Sequence, residues 1–199
     1  GERVDDVTTH PVISKAAKHA CVDYEMAELP ELRELTIIDD EDGPYARYFK
    51  VPRSNDDLLK RSQLIEASTA RGKTLVPLVK EIGSDALFGL MRITRSVDEA
   101  CETSYRPRLE RFYRHCRDND LTMSVAQTDA KGDRSAGPGN QPHPDYYLRI
   151  VDRRSDGIVV RGAKTHTSCT TNVNEVIVLP TRAMSEDCLL YTSPSPRDR

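Results

Sequence analysis

The hydrophobic period of the chain changes once, near Leu121, and that change limits the fold more than any single motif. Before it, apolar residues recur every three or four positions, the repeat of a helix with one buried face. Ile13, Ala16, Ala17, Ala20 and Tyr24 form one such stripe. Leu58 and Ile65 belong to a second, opened by Ser54 with Asp57 after it. The Ser54 oxygen can accept a hydrogen bond from a free first-turn amide. Ser96 and Glu99 make a capping-box pattern ahead of a further helical stretch, which Pro107 interrupts or restarts. Leu109, Phe112, Tyr113 and Cys116 then line a face that runs down to the polar end Arg117–Asp120. These stripes read as core and are assigned no chemistry.

After Leu121 the repeat shortens to two. Leu121, Met123 and Val125 alternate with polar residues, as in a half-buried strand. A loop rich in Gly, Pro and Asp follows from Asp129 to Pro144. Tyr146–Val151 and Gly157–Arg161 flank the turn Asp152–Asp156 and read as a hairpin. Val173–Leu179 reads as a further strand, closed by Pro180. The expected class is α+β, with a helical domain over 1–120 and the start of a β domain over 121–187.

The last segment differs in kind. Cys188–Asp198 reads CLLYTSPSPRD. Every residue of it matches one reading frame of a transposase adapter used in sequencing libraries. Residues 188–199 are therefore read as a non-native tail and set aside, as an expression scar would be.

Composition excludes several classes of function. Net charge is 29 − 32 = −3, so no basic excess points to nucleic acid. No apolar run approaches the roughly 20 residues of a membrane span, and no signal peptide is visible. The five cysteines, Cys21, Cys101, Cys116, Cys169 and Cys188, form no CxxC pair and no zinc-site spacing. Scattered reduced thiols fit a cytoplasmic protein.

Two constellations could carry chemistry. The first is QTDAKGDR, comprising Gln127, Thr128, Asp129, Ala130, Lys131, Gly132, Asp133 and Arg134. Gln127 and Thr128 suit the edge of a flat heterocycle, and Gly132 lets a backbone amide approach a ligand. Asp133 and Arg134 could pair to fix the loop, or Arg134 could meet a phosphate. The second is His166, Thr167 and Ser168, at the end of an expected strand. They could bond a cofactor ring or form a solvated strand end. His10, His19, His115 and His143 read as structural, with His10 positioning the chain.

QTDAKGDRS and DYYLRIVDRRSDGIVVRGAKTHTS, with the opening GERVDDVTTHP, resemble the family of 4-hydroxyphenylacetate 3-hydroxylase and 4-hydroxybutyryl-CoA dehydratase. The resemblance spans residues 1 to about 187. It implies an acyl-CoA dehydrogenase-like fold: an N-terminal helical domain, a middle β domain incomplete in this chain, and a C-terminal helical domain outside it. It also implies FAD held by Gln127–Arg134 and by His166–Ser168. Hydrogen bonds at the ring edge would stabilise reduced flavin in a dry pocket.

The residues depart from both known chemistries. The dehydratase also holds an iron–sulfur cluster, with two cysteine ligands at positions that align near Pro77 and Glu81. No cysteine stands between Cys21 and Cys101, so no cluster is expected. The hydroxylase grips its phenol with Arg, Tyr and His at positions that align near Ile82, Ala86 and Val125. The reading that follows is an FAD-dependent monooxygenase acting on an aromatic or related small organic substrate. Its partners would be a separate flavin reductase supplying reduced FAD and, at full length, further copies of itself; no nucleic acid or membrane is expected. The alternatives are a hydroxyacyl-CoA dehydratase or isomerase and, for the chain in isolation, an inactive association module.

Overall fold

The computed structural model describes residues 3–74, 80–130 and 132–180. The expected tail, Lys131 and Pro77 lie outside them. The first helices are α1 (Ile13–Ala20) and α2 (Val22–Ala27). His10 begins them: its Nδ1 accepts from the amides of Val12 (3.2 Å) and Ile13 (3.1 Å). The stripe from Ile13 to Tyr24 is not one buried face. The helix is interrupted at Cys21, α1 buries none of its residues, and α2 buries Asp23 and Met26. Asp23 is held inside because Tyr48 Oη (3.0 Å) and Ser68 Oγ (2.6 Å) both donate to its Oδ1. Burial, with Asp23 adjacent, pushes the Tyr48 phenol far above its ordinary value.

A short helix, α3 (Arg33–Thr36), leads into a hairpin of β1 (Ile37–Asp40) and β2 (Gly43–Ala46). This hairpin interrupts a region expected to be helical. Its sequence trace is the Asp42-Gly43 pair, with Gly43 at φ +104°.

The helix α4 (Asn55–Gly72) begins as the sequence indicated. Ser54 Oγ accepts from the Asp57 amide (3.1 Å), and Asp57 Oδ2 accepts from the Ser54 amide (3.0 Å). The inward face is carried by Arg61, Leu64 and Ser68, whereas Leu58 is 55% exposed. Arg61 sets that face. Its guanidinium donates to Tyr48 O, Ser84 Oγ and Asp85 Oδ1, so a buried charge is fully engaged.

The helix α5 (Glu81–Cys101) runs straight through Ser96 and Glu99, so no capping box forms there. Glu99 instead meets Arg95 at 3.2 Å. The helix ends at Glu102, in the left-handed region. The cap of α6 (Tyr105–Asp118) comes from behind: Asp98 accepts from the amides of Tyr105 and Arg106, each at 2.8 Å, and from the Thr103 hydroxyl. Pro107 falls in the first turn of α6, where a missing N–H leaves no bond unmade.

The strands are β3 (Met123–Ala126), β4 (Arg149–Arg154), β5 (Gly157–Arg161) and β6 (Glu175–Val178). The expected hairpin is β4–β5, with a tighter turn at residues 155–156. β3 pairs in parallel with β6. Alternation failed along the whole strand: Thr122, Ser124 and Ala126 are buried along with Met123, so β3 is enclosed on both faces.

The main core joins α5, α6 and the β3–β6 pair. Leu87, Cys116, Met123, Phe49 and Ile177 are buried together, with Leu109, Phe112 and Tyr113 packed on them. Gly83 sets the spacing: a Cβ there would lie 2.3 Å from Met123 Cβ. Burial pushes the Cys116 thiol up to about 11, so it behaves as a small core hydrophobe.

Candidate functional site

The strand β3 leaves the core at Ala126 and delivers Gln127 and Thr128 to the surface. Residues 164–165 run antiparallel beside them. Asp129 bridges Lys164, and the Thr165 amide donates to Thr128 O at 2.8 Å. The end of β6 lies alongside, since the Leu179 amide donates to Ala126 O at 3.0 Å. The two constellations read from sequence are thus brought to one end of the β3–β6 pair.

Each residue has a distinct place. Gln127, Ala130, Gly132, Asp133, Arg134, His166 and Ser168 are exposed, and Thr128 and Thr167 are half-buried. Among the described residues, the side chains of Gln127, Thr128, His166, Thr167 and Ser168 make no hydrogen bond within the chain. The backbone at His166 is left-handed, φ +57°, a conformation costly for a residue bearing a Cβ and common at functional sites.

Asp129 differs from its expected role. It is 2% exposed and ion-paired to Lys164 through Oδ1 at 2.8 Å, with the Leu148 amide donating to the same oxygen. A carboxylate so enclosed holds the loop. Gly132 is required by the geometry of the loop itself. Its amide donates to Ala130 O (3.0 Å), its φ is +47°, and a Cβ would lie 2.3 Å from the Tyr146 ring.

The bond that fixes the loop at Asp133 is with Ser135, whose amide (2.8 Å) and hydroxyl (2.7 Å) donate to Oδ1. Those bonds hold the Asp133 carboxyl below the usual range. Gln141 secures the same turn, accepting from the Asp133 amide and donating to Asp133 O. Asp145 joins loop to hairpin, bonding Arg149 (3.1 Å) and Arg161 (2.8 Å).

Sequence reasoning missed Lys164. It stands in RGAKTHTS with no periodic signal to single it out from its neighbours. Its ammonium is 2.8 Å from Gln127 O, 2.7 Å from Leu179 O and 2.8 Å from Asp129 Oδ1. It also borders an open apolar groove of about 150 Å³ walled by Leu148, Ile158, Val160, Val178 and Leu179.

The donor set fits a flavin. An amide, hydroxyls and an imidazole with open hydrogen-bonding capacity suit the edge of a flat heteroaromatic ring, and the exposed Arg134 suits phosphate. Among the described residues, no group of three or more His, Cys, Asp or Glu is placed to hold a metal ion. No described helix is long and apolar enough to cross a membrane.

Comparison with known proteins gives the chain's family and fold. Residues 1–192 match the family profile described as 4-hydroxyphenylacetate 3-hydroxylase N terminal. That match enters the segment from Cys188 onward. The chain is 33% identical over 188 residues to 4-hydroxybutyryl-CoA dehydratase/vinylacetyl-CoA-Δ-isomerase of Clostridium aminobutyricum, covering 94% of this chain and 38% of that protein. It is 27% identical over 180 residues to the 4-hydroxyphenylacetate 3-monooxygenase oxygenase component of Thermus thermophilus, covering 90% and 36%. A crystal structure of such an oxygenase component complexed with FAD superposes with a TM-score of 0.81 at 25% identity, covering 94% of this chain and 39% of that one. The chain therefore spans little more than a third of the length of these relatives. Its fold is the corresponding part of the acyl-CoA dehydrogenase-like arrangement that the sequence resemblance implied.

Proposed function

Because the chain belongs to the 4-hydroxyphenylacetate 3-hydroxylase family, we propose that it supplies part of the flavin site of an FAD-dependent monooxygenase acting on an aromatic or related small organic substrate. The observation that carries this reading is the array of uncommitted polar side chains at 127–128 and 166–168, fixed at one strand end. Bound FAD would supply the redox chemistry with oxygen.

The chain's own residues would bind and orient. Gln127 and Thr128 would bond the ring edge from one side, and His166, Thr167 and Ser168 from the adjacent segment. Arg134 would meet cofactor charge. Asp129, Asp133 and Gly132 would keep the loop in shape without touching the ligand. The relatives' description as an oxygenase component supports a separate flavin reductase as partner. The apolar character of Ile82, Ala86 and Val125 supports a substrate other than hydroxyphenylacetate. Ala86 and Val125 pack on the main core, so neither presents a polar group in place of the phenol-gripping set.

The greater identity to the dehydratase favours a second reading, a lyase on a hydroxyacyl-CoA. Against it stands the lack of any cysteine from 22 to 100, where the resemblance implies two cluster ligands. Anaerobic purification of the full-length parent, with iron and acid-labile sulfide measured, separates the two. FAD with neither iron nor sulfide is expected; stoichiometric amounts of both would establish the lyase instead. Within the parent, Arg134→Ala and Thr128→Ala should each weaken FAD binding in a flavin titration. The Arg134 loss should be the larger, about tenfold or more, because bonds to charge are worth about 1.5–3 kcal/mol against about 0.5–1.5 for neutral ones.

A further inference from the structure

We propose that Lys164 is the positioning residue of the flavin site, an ammonium clamp that fixes where Gln127–Asp129 and His166–Ser168 stand relative to each other. The proposal rests on the flavin reading above. A lysine ammonium has three N–H donors, and three acceptors surround this one: Gln127 O at 2.8 Å, Leu179 O at 2.7 Å and Asp129 Oδ1 at 2.8 Å. The three acceptors come from two segments: Gln127 and Asp129 on the chain leaving β3, and Leu179 on the chain leaving β6. The side chain is only 10% exposed, so these bonds are made largely out of water. One acceptor is the carbonyl of Gln127, a residue whose side chain is uncommitted. Lys164 itself lies two residues before His166. The backbone bond from the Thr165 amide to Thr128 O (2.8 Å) sets the register of the two segments, and the ammonium holds the segment ends against rotation about it.

This assigns a division of labour. Lys164 and Asp129 are turned inward and shape the site; Gln127, Thr128, His166 and Ser168 are turned outward and meet the ligand. An arginine could not substitute freely, because its planar fork cannot converge three donors from one nitrogen.

The test uses the full-length parent carrying Lys164→Met, which keeps the length and removes the donors. Leu64→Ala, in the second core cluster around Met26 and Tyr48, is a control for general destabilisation. Lys164→Met is expected to weaken FAD binding at least tenfold and, at saturating FAD, to change the visible circular dichroism of the bound flavin. Leu64→Ala should lower the Tm of the apoprotein while leaving FAD affinity and the flavin spectrum unchanged. If Lys164→Met does not fold, Asp129→Asn, which removes the counter-charge but keeps the shape, should show the same spectral change. Should Thr128→Ala and Arg134→Ala weaken FAD while Lys164→Met and Asp129→Asn alter neither affinity nor spectrum, the positioning role is wrong and the flavin site stands. A parent that binds no FAD, or whose affinity is indifferent to all four changes, overturns both.

Discussion

A single carboxylate decides how α5 and α6 meet. Asp98 lies in the last turn of α5, yet its acceptors serve the first amides of α6. Partial desolvation raises its pKa, but bonds from the Thr103 hydroxyl and the Arg106 and Tyr105 amides outweigh this and hold it below the ordinary 3.8. A depressed folded pKa means that the unfolded chain binds the proton first as pH falls. The contribution is therefore complete above about pH 3.8, the unfolded value, and is lost as pH drops through the folded one. Asp98→Ala should lower the Tm at pH 7, and the gap to the unsubstituted protein should close on acidification below pH 3.8. A gap unchanged at low pH would show that the carboxylate's charge is not what caps α6. The sequence held the Ser54–Asp57 cap in plain sight because both partners are three residues apart on one turn. Asp98 escaped it because the bond leaps a helix end, and Ser96–Glu99 offered a local pattern that the continuing helix overrode.

At the scale of elements, the contact between α5 and β3 is governed by what is absent at Gly83. With a Cβ there 2.3 Å from Met123 Cβ, Gly83→Ala must push the helix off the strand. Overpacking of this kind costs about 1–3 kcal/mol, read as a lower denaturant midpoint with an unchanged m-value. Because β3 ends at the candidate site, the same variant in the parent should also weaken FAD binding. The strands themselves were legible: β3, β4, β5 and β6 all lie within segments marked by alternation or by turn residues. Their pairing was not. Alternation says which residues share a face, but it is silent on whether β3 meets its chain neighbour or, as happens, the distant β6 in parallel. The β1–β2 hairpin was lost to the sequence because Ile37–Asp40 offers two apolar residues followed by two acidic ones, which no period describes.

For the molecule as a whole, the outer face of the β region is notable. Ile158, Val160, Val176 and Val178 are 55%, 46%, 41% and 48% exposed, and Ile158, Val160 and Val178 wall the apolar groove. Clustered apolar exposure of this kind promotes association. The chain expressed by itself should therefore self-associate in sedimentation velocity, and Ile158→Lys with Val178→Lys should shift it toward monomer. A monomeric chain without the substitutions would show the face to be inert.

What the sequence determined by itself is the set of local choices. The switch from helix to strand near Leu121, the Ser54 cap, the β4–β5 hairpin and the family motifs QTDAKGDR and GAKTHTS all depend on residues close together along the chain. What only the tertiary structure decided is which distant groups satisfy one another. Asp23 and Arg61 are polar residues that pattern reading would place outside; they are buried because Tyr48, Ser68, Ser84 and Asp85 arrive from other elements to bond them. Asp129 reads as a ligand-facing loop residue and is instead interior, because Lys164 neutralises it there. A buried charge is tolerable only with its partners in place, and those partners are separated from it by tens of residues of intervening fold.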